Sequence, residues 1–388
     1  MPNSREDLIE TEIPVSMLEI GMQVTRLDRA WEQTDFLLQG FVIQNDEDLL
    51  AVRSQCDYVV VQGRVVVNAT DHSRPARNPK DQSLSGRASN GLPKKRVNYM
   101  NKVDTGRELV AARQHYSSAR ITAKNIMSSI RLGRMLDMHQ IRETVDDTVD
   151  SVLRNENALL LLCKIKQKDD YTAEHCINVS ILAAAFGKHL GLLEGEIRTL
   201  ALCGMLHDVG KMQIDDAILN KPGALTPEEF DTMKKHSTFG RDILVGLPTL
   251  EHAAVDVAFS HHERMDGKGY PRGLASHQIP LFAKAVGLVD TYDAITSSRV
   301  YDKGRPSMQA LQIIHRNKGT QFDTDLAVEF IRMIGVYPPG SIVQLENDEV
   351  GIVVANQETS KLSPVILLVR DSRKHPLTPY RQINLSDN

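Results

Sequence analysis

The sequence lacks the features of a secreted or membrane-spanning chain. Only four cysteines occur in 388 residues, and none belongs to a CxxC pair. This argues against a disulfide framework and predicts buried thiols in a reducing compartment. The most apolar run, Ala158 to Cys163, is far too short to cross a bilayer. The N-terminus is polar and acidic, unlike a signal peptide. We therefore expect a cytoplasmic protein with no membrane partner.

An excess of charge of one sign is also missing. The chain has 46 Lys and Arg residues against 50 Asp and Glu residues, a net charge of −4. The charge balance therefore gives no sign of an overall basic surface, and we expect no nucleic-acid polymer as a partner. Tryptophan occurs once, at Trp31, which we expect in the core of a small N-terminal unit. The length predicts two or three domains.

Hydrophobic periodicity predicts a mainly α-helical protein, with a small α+β unit at the N-terminus and a short β element at the C-terminus. One stretch is rich in proline, glycine, serine and basic residues and has few apolar side chains, which is typical of a flexible linker. The predicted segments are a 1–70 α+β domain, a 71–104 basic linker, 105–149 connecting helices, a 150–335 helical domain and a 336–388 extension of three short strands.

The predicted helical domain contains a series of residue types that bind metal ions. They are His175, His207, Asp208, His236, His261, His262 and Asp290. Each lies on or at the end of a predicted helix, about thirty residues from the next, so that an antiparallel bundle can bring them to one level. Any one of these histidines taken alone is more often a core or surface residue than a ligand. The set as a whole predicts a metal site.

Two adjacent pairs, His207–Asp208 and His261–His262, indicate more than one ion. Neighbouring residues on a helix point about 100° apart, so they address two ions more easily than one. A carboxylate has two oxygens and can bridge two ions. A dinuclear site of this kind holds a bridging hydroxide and clamps a phosphate, which suits phosphodiester hydrolysis.

The stretch "LHDVGK" adds a lysine to this site. Lys211 follows Asp208 by about one helical turn, where it could meet a phosphate oxygen and balance charge during hydrolysis. The alternative is an exposed lysine that complements the dipole at a helix C-terminus.

Five motifs occur in order between about residues 150 and 335: HCINV, LHDVGK, KKHSTFG, HHERMDGKGYP and VDTYDAITSSR. Together they resemble the HD-GYP domain, a bacterial branch of the HD metal-dependent phosphohydrolases. The N-terminal unit resembles a domain of uncharacterised role that often precedes HD-GYP. The resemblance implies a helical HD-type bundle that hydrolyses the second messenger cyclic di-GMP to pGpG, and in some members on to GMP. It also implies two or three metal ions, commonly iron or manganese; Zn, Ni or Mg are alternatives.

The resemblance also implies roles for individual residues. The first metal would be held by His175, His207, Asp208 and Asp290, and the second by His236, His261 and His262, with Asp208 bridging. Lys211 would bind the scissile phosphate and share the catalytic role with Asp208. Further substrate contacts are assigned to Arg299, Lys303, Gly269 and Tyr270, of which the last two belong to the loop that gives the family its name.

The sequence departs from the family pattern at three places. Tyr171 stands where members with a third metal have glutamate, so we expect two ions. Val300, Tyr301 and Asp302 follow Arg299 where the family continues Pro-Tyr-Arg or Pro-Tyr-Lys, so a basic contact is lost or taken over by Lys303. Asn178 stands where arginine is frequent. These departures concern substrate affinity, because they leave the ligand set complete.

Other functions remain open from the sequence. The metal site could be structural in a regulatory module whose GYP loop docks a partner such as a diguanylate cyclase, with Lys268 as a partner contact or a solvated charge. Another cyclic dinucleotide could be the substrate. A homodimer is a further alternative, and the N-terminal unit and β extension could serve as scaffold, dimer contact or lid.

Overall fold

The computed structural model describes residues 9–15, 18–20, 22–29, 41–43, 46–63, 96–164, 171–247, 250–297, 304–357 and 362–387. The chain forms two compact units, Met1–Arg87 and Ala88–Asn388. Among the helices within these ranges, none combines the length and the apolar character needed to cross a membrane.

The first unit is an antiparallel sheet with one helix. Its elements are β1 (Ile9–Pro14), β2 (Gln23–Leu27), β3 (Phe41–Val42), α1 (Asp46–Gln55) and β4 (Tyr58–Gly63), and the strand order is β1-β4-β2-β3. Its core includes Leu18, Val24, Ile43, Val52 and Val59. The predicted α+β unit is confirmed, although β1 was not predicted because its segment is polar. Trp31 lies outside the described residues.

The second unit is mainly helical. Its helices are α2 (Thr105–Arg131), α3 (Met138–Lys164), α4 (Tyr171–His189), α5 (Glu194–Leu206), α6 (Asp216–Leu219), α7 (Pro227–Lys234), α8 (His236–Val245), α9 (His252–Ser260), α10 (Leu281–Thr296), α11 (Ser307–Arg316) and α12 (Thr324–Ile334). A 3₁₀ turn, Val209–Gln213, follows α5. The prediction of a mainly α protein is confirmed.

Helix α4 is the centre of this unit. It packs against α2, α3, α5, α10 and α12, so it is buried on nearly every side. Its sequence explains this, because apolar and small residues surround the whole helix axis and leave no polar face for solvent. Phe186 of α4 and Tyr292 of α10 each meet Phe330 of α12 edge-to-face, with ring centroids 5.2 Å apart. Polar side chains on the first turns of α4 are consequently held inside the protein.

The long helices α2 and α3 form a hairpin beside α4. Glu108 of α2 is only 3% exposed and accepts hydrogen bonds from Arg154 and Ser151 of α3 at 2.8 and 2.7 Å. Farther along, the hydroxyls of Thr122 and Thr144 lie 2.9 Å apart. Buried polar groups of this kind are stable only when paired, so these contacts specify how the hairpin closes.

Residues 96–104, the end of the predicted flexible linker, make specific contacts with the helical unit. The Val97 amide donates to the Gly191 carbonyl at 2.9 Å, and the Tyr99 hydroxyl donates to the Leu192 carbonyl at 2.9 Å. The ammonium of Lys188, buried in α4, donates to Asn101 at 2.6 Å. Composition did not reveal this attachment, because it depends on partners about ninety positions away in the chain.

The chain ends in an antiparallel sheet of β5 (Ile342–Gln344), β6 (Val350–Ala355), β7 (Val365–Arg370) and β8 (Pro376–Asn384), in that order. Its small core contains Val353, Ile366 and Leu368. The three predicted strands match β5 to β7. The fourth, β8, was missed because it contains two prolines and few apolar residues, which is a composition that only an edge strand tolerates.

One close approach joins two parts of the helical unit. A Cβ atom at Gly210 would lie 2.0 Å from the carbonyl oxygen of His236 and 2.4 Å from the amide nitrogen of Gly240. The 3₁₀ turn after α5 therefore touches the backbone of α8 directly. Only glycine allows two backbones to meet at this distance.

The substitution Gly210→Ala should destabilise the protein, because the added methyl group forces the 3₁₀ turn away from α8. We expect a loss of about 1–3 kcal/mol, the usual range for overpacking, measured by urea unfolding. Gly195→Ala is the matched control: nothing lies within 4 Å of its Cβ position, and alanine is the better helix former. Equal stabilities of the two variants would contradict the close approach.

Candidate metal centre

The structure brings all seven predicted ligand side chains into one cluster. His175 lies near the start of α4, Asp290 lies within α10, and the others lie where α5, α8 and α9 begin or end. Three groups have donor atoms within 4.8 Å of one another: Asp208, His236, His261 and His262; His175, His207 and Asp208; His207, His261 and Asp290. His262 is half-buried and the other six are buried.

The two carboxylate oxygens of Asp208 face different histidines. Its Oδ1 lies 3.4 Å from Nε2 of His236 and 3.8 Å from Nε2 of His261. Its Oδ2 lies 3.2 Å from Nε2 of His207 and 3.6 Å from Nε2 of His175. Asp208 therefore stands between two sets of imidazoles, as a bridging carboxylate must.

Four histidines turn the same ring nitrogen toward the cluster, because each uses Nδ1 for another contact. The acceptors are the Gly204 carbonyl for His207 (2.8 Å), the Met233 carbonyl for His236 (2.7 Å), the Val257 carbonyl for His261 (3.0 Å) and Asp293 Oδ2 for His175 (2.8 Å). A proton held on Nδ1 leaves the Nε2 lone pair directed inward, the arrangement found in metal-binding histidines.

The cluster divides electrostatically into two halves. Burial alone would lower the pKa of His175, but its hydrogen bonds to Asp290 and Asp293 raise that pKa to about 9. The pKa of His207 is likewise raised to about 9, against the effect of burial, by the charge of Asp208. In the other half, burial lowers the pKa of His261 to about 3, with a further contribution from His207. The carboxylates thus favour a cation, either a proton or a metal ion, in the half that contains His175 and His207.

Two buried polar atoms of the cluster have no hydrogen-bond partner among the described residues. They are Nε2 of His207 and Oδ1 of Asp208. Unpaired buried polar atoms are rare, because each costs about 1–3 kcal/mol. A divalent cation would bind both atoms. The imidazole and carboxylate donors fit iron, manganese or zinc, so the residues present suit a metal centre.

Lys211 lies directly beside this centre. Its ammonium contacts Oδ2 of Asp208, and its side chain is 23% exposed. Burial alone would raise the pKa of Asp208, but Lys211, followed by His207, holds it well below the usual value. The predicted position of Lys211 near Asp208 is therefore found. Arg299 and Lys303 lie outside the described residues.

The loop Gly267–Pro271 folds back onto the two adjacent histidines. The ring of Tyr270 stacks on His262, with centroids 4.6 Å apart and planes inclined by 29°, and its amide donates to the His262 carbonyl at 3.2 Å. A Cβ at Gly269 would lie 2.4 Å from the amide nitrogen of Arg264, so only glycine permits this packing. Lys268 is exposed.

Glu263 holds the end of this loop in place. Its carboxylate is 8% exposed and accepts the backbone amides of Arg272 and Leu274 at 2.8 and 2.9 Å. This function of Glu263 was not predicted, although the sequence places a glutamate directly after two histidines. No sequence signal reveals it, because the folded loop, and not the residue type, decides which backbone amides donate to the carboxylate.

Asp293 was also missed as a member of the site. It lies one turn after Asp290 on α10, and its two oxygens bind His175 and the amide of Asn178, the latter at 3.2 Å. The spacing of three residues, which puts both aspartates on one helix face, was the available signal. Asn178 appeared in the sequence as a departure from a family pattern, whereas in the structure it is a partner of Asp293.

Comparison with known proteins agrees with this fold. The profile of the HD domain matches residues 149–326, and that of a domain of unknown function, DUF3391, matches residues 10–141. A cyclic di-GMP phosphodiesterase of Pseudomonas aeruginosa is 33% identical over 374 residues, which are 96% of this chain and 88% of that protein.

Two further relatives extend the comparison. A 3′3′-cGAMP-specific phosphodiesterase of Vibrio cholerae is 30% identical over 174 residues, 45% of this chain and 38% of that protein. The solved structure of an HDG"Y"P protein of Bdellovibrio bacteriovorus superposes with a TM-score of 0.50 at 15% identity, over 84% of this chain and 99% of that one, and shares the fold. Together with the clustered motifs, the identity to a relative along nearly its whole length shows that this chain belongs to the HD-GYP family of HD-domain proteins, with the DUF3391 domain preceding the HD domain.

Proposed function

We propose that the protein is a metal-dependent phosphodiesterase that hydrolyses cyclic di-GMP to linear pGpG. The observation that carries this proposal is the position of Asp208, whose two oxygens face two sets of imidazoles while Lys211 lies beside it. The relative of Pseudomonas aeruginosa, a cyclic di-GMP phosphodiesterase that aligns along nearly the whole chain, supports the choice of substrate. The onward reaction to GMP is a further proposal of the same kind.

We assign the residues to two ions. His175, His207 and Asp290 would hold the first, His236, His261 and His262 would hold the second, and Asp208 would serve both; the contacts of the two Asp208 oxygens support this division. When bound, such a metal pair supplies a hydroxide near neutral pH and polarises the phosphoryl oxygens. Iron or manganese fits the donors, with Zn, Ni or Mg as alternatives, and Tyr171 in place of glutamate favours two ions over three.

Exposure indicates the side from which the substrate approaches. His175, His207 and His236 are buried, whereas Lys211, His262 and Tyr270 reach solvent. A cyclic dinucleotide therefore meets Lys211 and the stacked ring of Tyr270 first. Lys211 balances the charge that develops on the scissile phosphate. Gly269 brings the loop backbone close to the site, and Arg299 and Lys303 are proposed as additional phosphate contacts.

The GYP loop could instead serve mainly to dock a partner such as a diguanylate cyclase, with a structural metal site behind it. Only its tip favours this alternative, since Gly267 and Lys268 are exposed. The contacts of Tyr270 and Gly269 point inward to His262 and Arg264. They support a function of the loop within the site.

The first prediction concerns activity. Protein loaded with Mn²⁺ should convert cyclic di-GMP to pGpG. Chromatography of the nucleotides measures this conversion. Removal of the metal with a chelator, and the variant His207→Ala, should both abolish turnover, because the reaction depends on the metal pair. Parallel assays with 3′3′-cGAMP and cyclic di-AMP test the substrate. Preferential turnover of either nucleotide would identify it as the substrate in place of cyclic di-GMP. If the metal-loaded protein turns over none of the three nucleotides, the enzyme proposal is overturned.

Lys211 provides a second test, since the proposal gives it a role in catalysis and none in metal binding. Lys211→Ala should lower kcat by about 10²–10³-fold, the usual effect of losing a group that stabilises transition-state charge. Its metal content should match that of the unaltered protein in elemental analysis. Loss of the metal with unchanged kcat per bound metal would show that Lys211 only stabilises Asp208.

Tyr270 separates the two functions proposed for the loop. Tyr270→Phe retains the ring that stacks on His262, so metal affinity should not change. Tyr270→Ala frees His262 and should lower metal affinity about 10-fold, the lower end of the effect seen for groups that orient ligands. Both affinities can be measured by competition with a chelator. If both variants keep full metal affinity and turnover, the docking function becomes the better explanation of the loop.

A further inference from the structure

His175 differs from the other oriented histidines in how its ring is held. His207, His236 and His261 donate Nδ1–H to backbone carbonyls three or four residues earlier in the chain, in helical turns just before them. His175 lies near the start of α4, and a side chain takes the place of the carbonyl acceptor. Its Nδ1 bonds to the side chain of Asp293, so its orientation depends on a different helix.

Asp293 is in turn held by a chain of hydrogen bonds that reaches Tyr116, a half-buried residue of α2. The amide nitrogen of Asn178 donates to Asp293 Oδ1 at 3.2 Å, and the hydroxyl of Tyr116 donates to Asn178 Oδ1 at 3.3 Å. The Ser297 hydroxyl donates to Asp293 Oδ2 at 3.1 Å. Asn178, Asp293 and Ser297 are each less than 9% exposed, so the bonds to Asp293 are shielded from water.

The direction of each bond in this chain is determined by chemistry. An ionised carboxylate only accepts, so the amide NH₂ of Asn178 must face Asp293. The amide oxygen then faces Tyr116, which must donate. Burial raises the pKa of the Tyr116 phenol, which keeps the donated proton in place. Each member therefore orients the next, from Tyr116 through Asn178 and Asp293 to His175.

Helix α2 contacts the site at two further points. Arg120, one turn after Tyr116, lies 3.6 Å from Glu174, the residue before His175. The same helix packs against the 3₁₀ turn that carries Lys211. Helix α2 lies inside the region that matches DUF3391 and outside the match to the HD domain. Tyr116 therefore lies in the DUF3391 match, whereas Asn178, to which it donates, lies in the HD-domain match.

We propose that Tyr116 and Asn178 are positioning residues for the metal centre, through which the DUF3391-matched helix α2 sets the metal affinity of the half that contains His175. The proposal rests on the proposed function in one respect, that His175 is a metal ligand. It assigns to α2 an effect on the ligand shell, beyond its packing in the hairpin. Loss of the bond between Tyr116 and Asn178 would loosen Asp293 and His175 while leaving the carbonyl acceptors of the other three histidines in place.

The test is Mn²⁺ affinity of the full-length protein, measured by competition with a chelator. Asn178→Ala breaks the chain next to Asp293 and should weaken binding about 10-fold. Tyr116→Phe removes a single hydroxyl and should weaken it about 3- to 10-fold, the value of one net hydrogen bond. The double variant should bind like Asn178→Ala alone, because residues in one network are not additive.

Tyr99→Phe is the matched control. It also loses one tyrosine hydroxyl that donates to a partner on or near α4, the Leu192 carbonyl at 2.9 Å, but at the far end of the helix. Its metal affinity should equal that of the unaltered protein even if its thermal stability falls as much as that of Tyr116→Phe. Equal affinities of Tyr116→Phe and Tyr99→Phe, or additive effects in the double variant, would overturn the proposal. Turnover of cyclic di-GMP is measured separately, so affinity changes without turnover would reject only the proposed substrate.

Discussion

The burial of carboxylates among imidazoles is the interaction on which this structure depends. Asp208, Asp290 and Asp293 lie inside the protein, where an uncompensated charge is expensive. Their negative charge is met by imidazoles on four helices and by Lys211, which explains the raised pKa of His175 and His207. These groups come from five helices that must converge, α4, α5, α8, α9 and α10. The site therefore forms only when the helices pack together. Gly210 allows the 3₁₀ turn after Asp208 to reach α8.

Carbonyl groups at the ends of helices orient three of the histidines in this site. A carbonyl in the last turn of a helix can accept a hydrogen bond from Nδ1 of a histidine that follows; the Val257 carbonyl accepts both the amide and Nδ1 of His261. His207 and His261 are placed in this way after α5 and α9, and His236 after the last turn of α7. These histidines are oriented by their own neighbours in the chain. His175 is oriented through Asp293 and is therefore sensitive to the packing of α4, α10 and α2.

The GYP loop packs against His262 and the residues that follow it. Glycines are also typical of flexible surface loops. Here Gly269 lies against the backbone of Arg264, and the ring of Tyr270 stacks on His262. Glu263 closes the loop through two backbone amides. His262 and the loop after it form one unit, in which the ring of Tyr270 covers the half-buried imidazole. The exposed Lys268 is left for contacts outside this unit.

Short-range patterns were sufficient to predict the helical class, the α+β unit, three of the four C-terminal strands, and Asp208 with the six residues that cluster around it. These predictions succeeded because helix periodicity, adjacent ligand pairs and ordered motifs are local properties of a chain. The contacts of Tyr116, Asn178 and Asp293 could not be read in this way, because they join positions 62 and 115 residues apart and carry no periodic signature. The edge strand β8 was hidden by its prolines. Which oxygen of Asp208 meets which imidazole, and which helix restrains His175, follows from the packing of α2, α4 and α10, since only packing brings distant polar groups within hydrogen-bond distance.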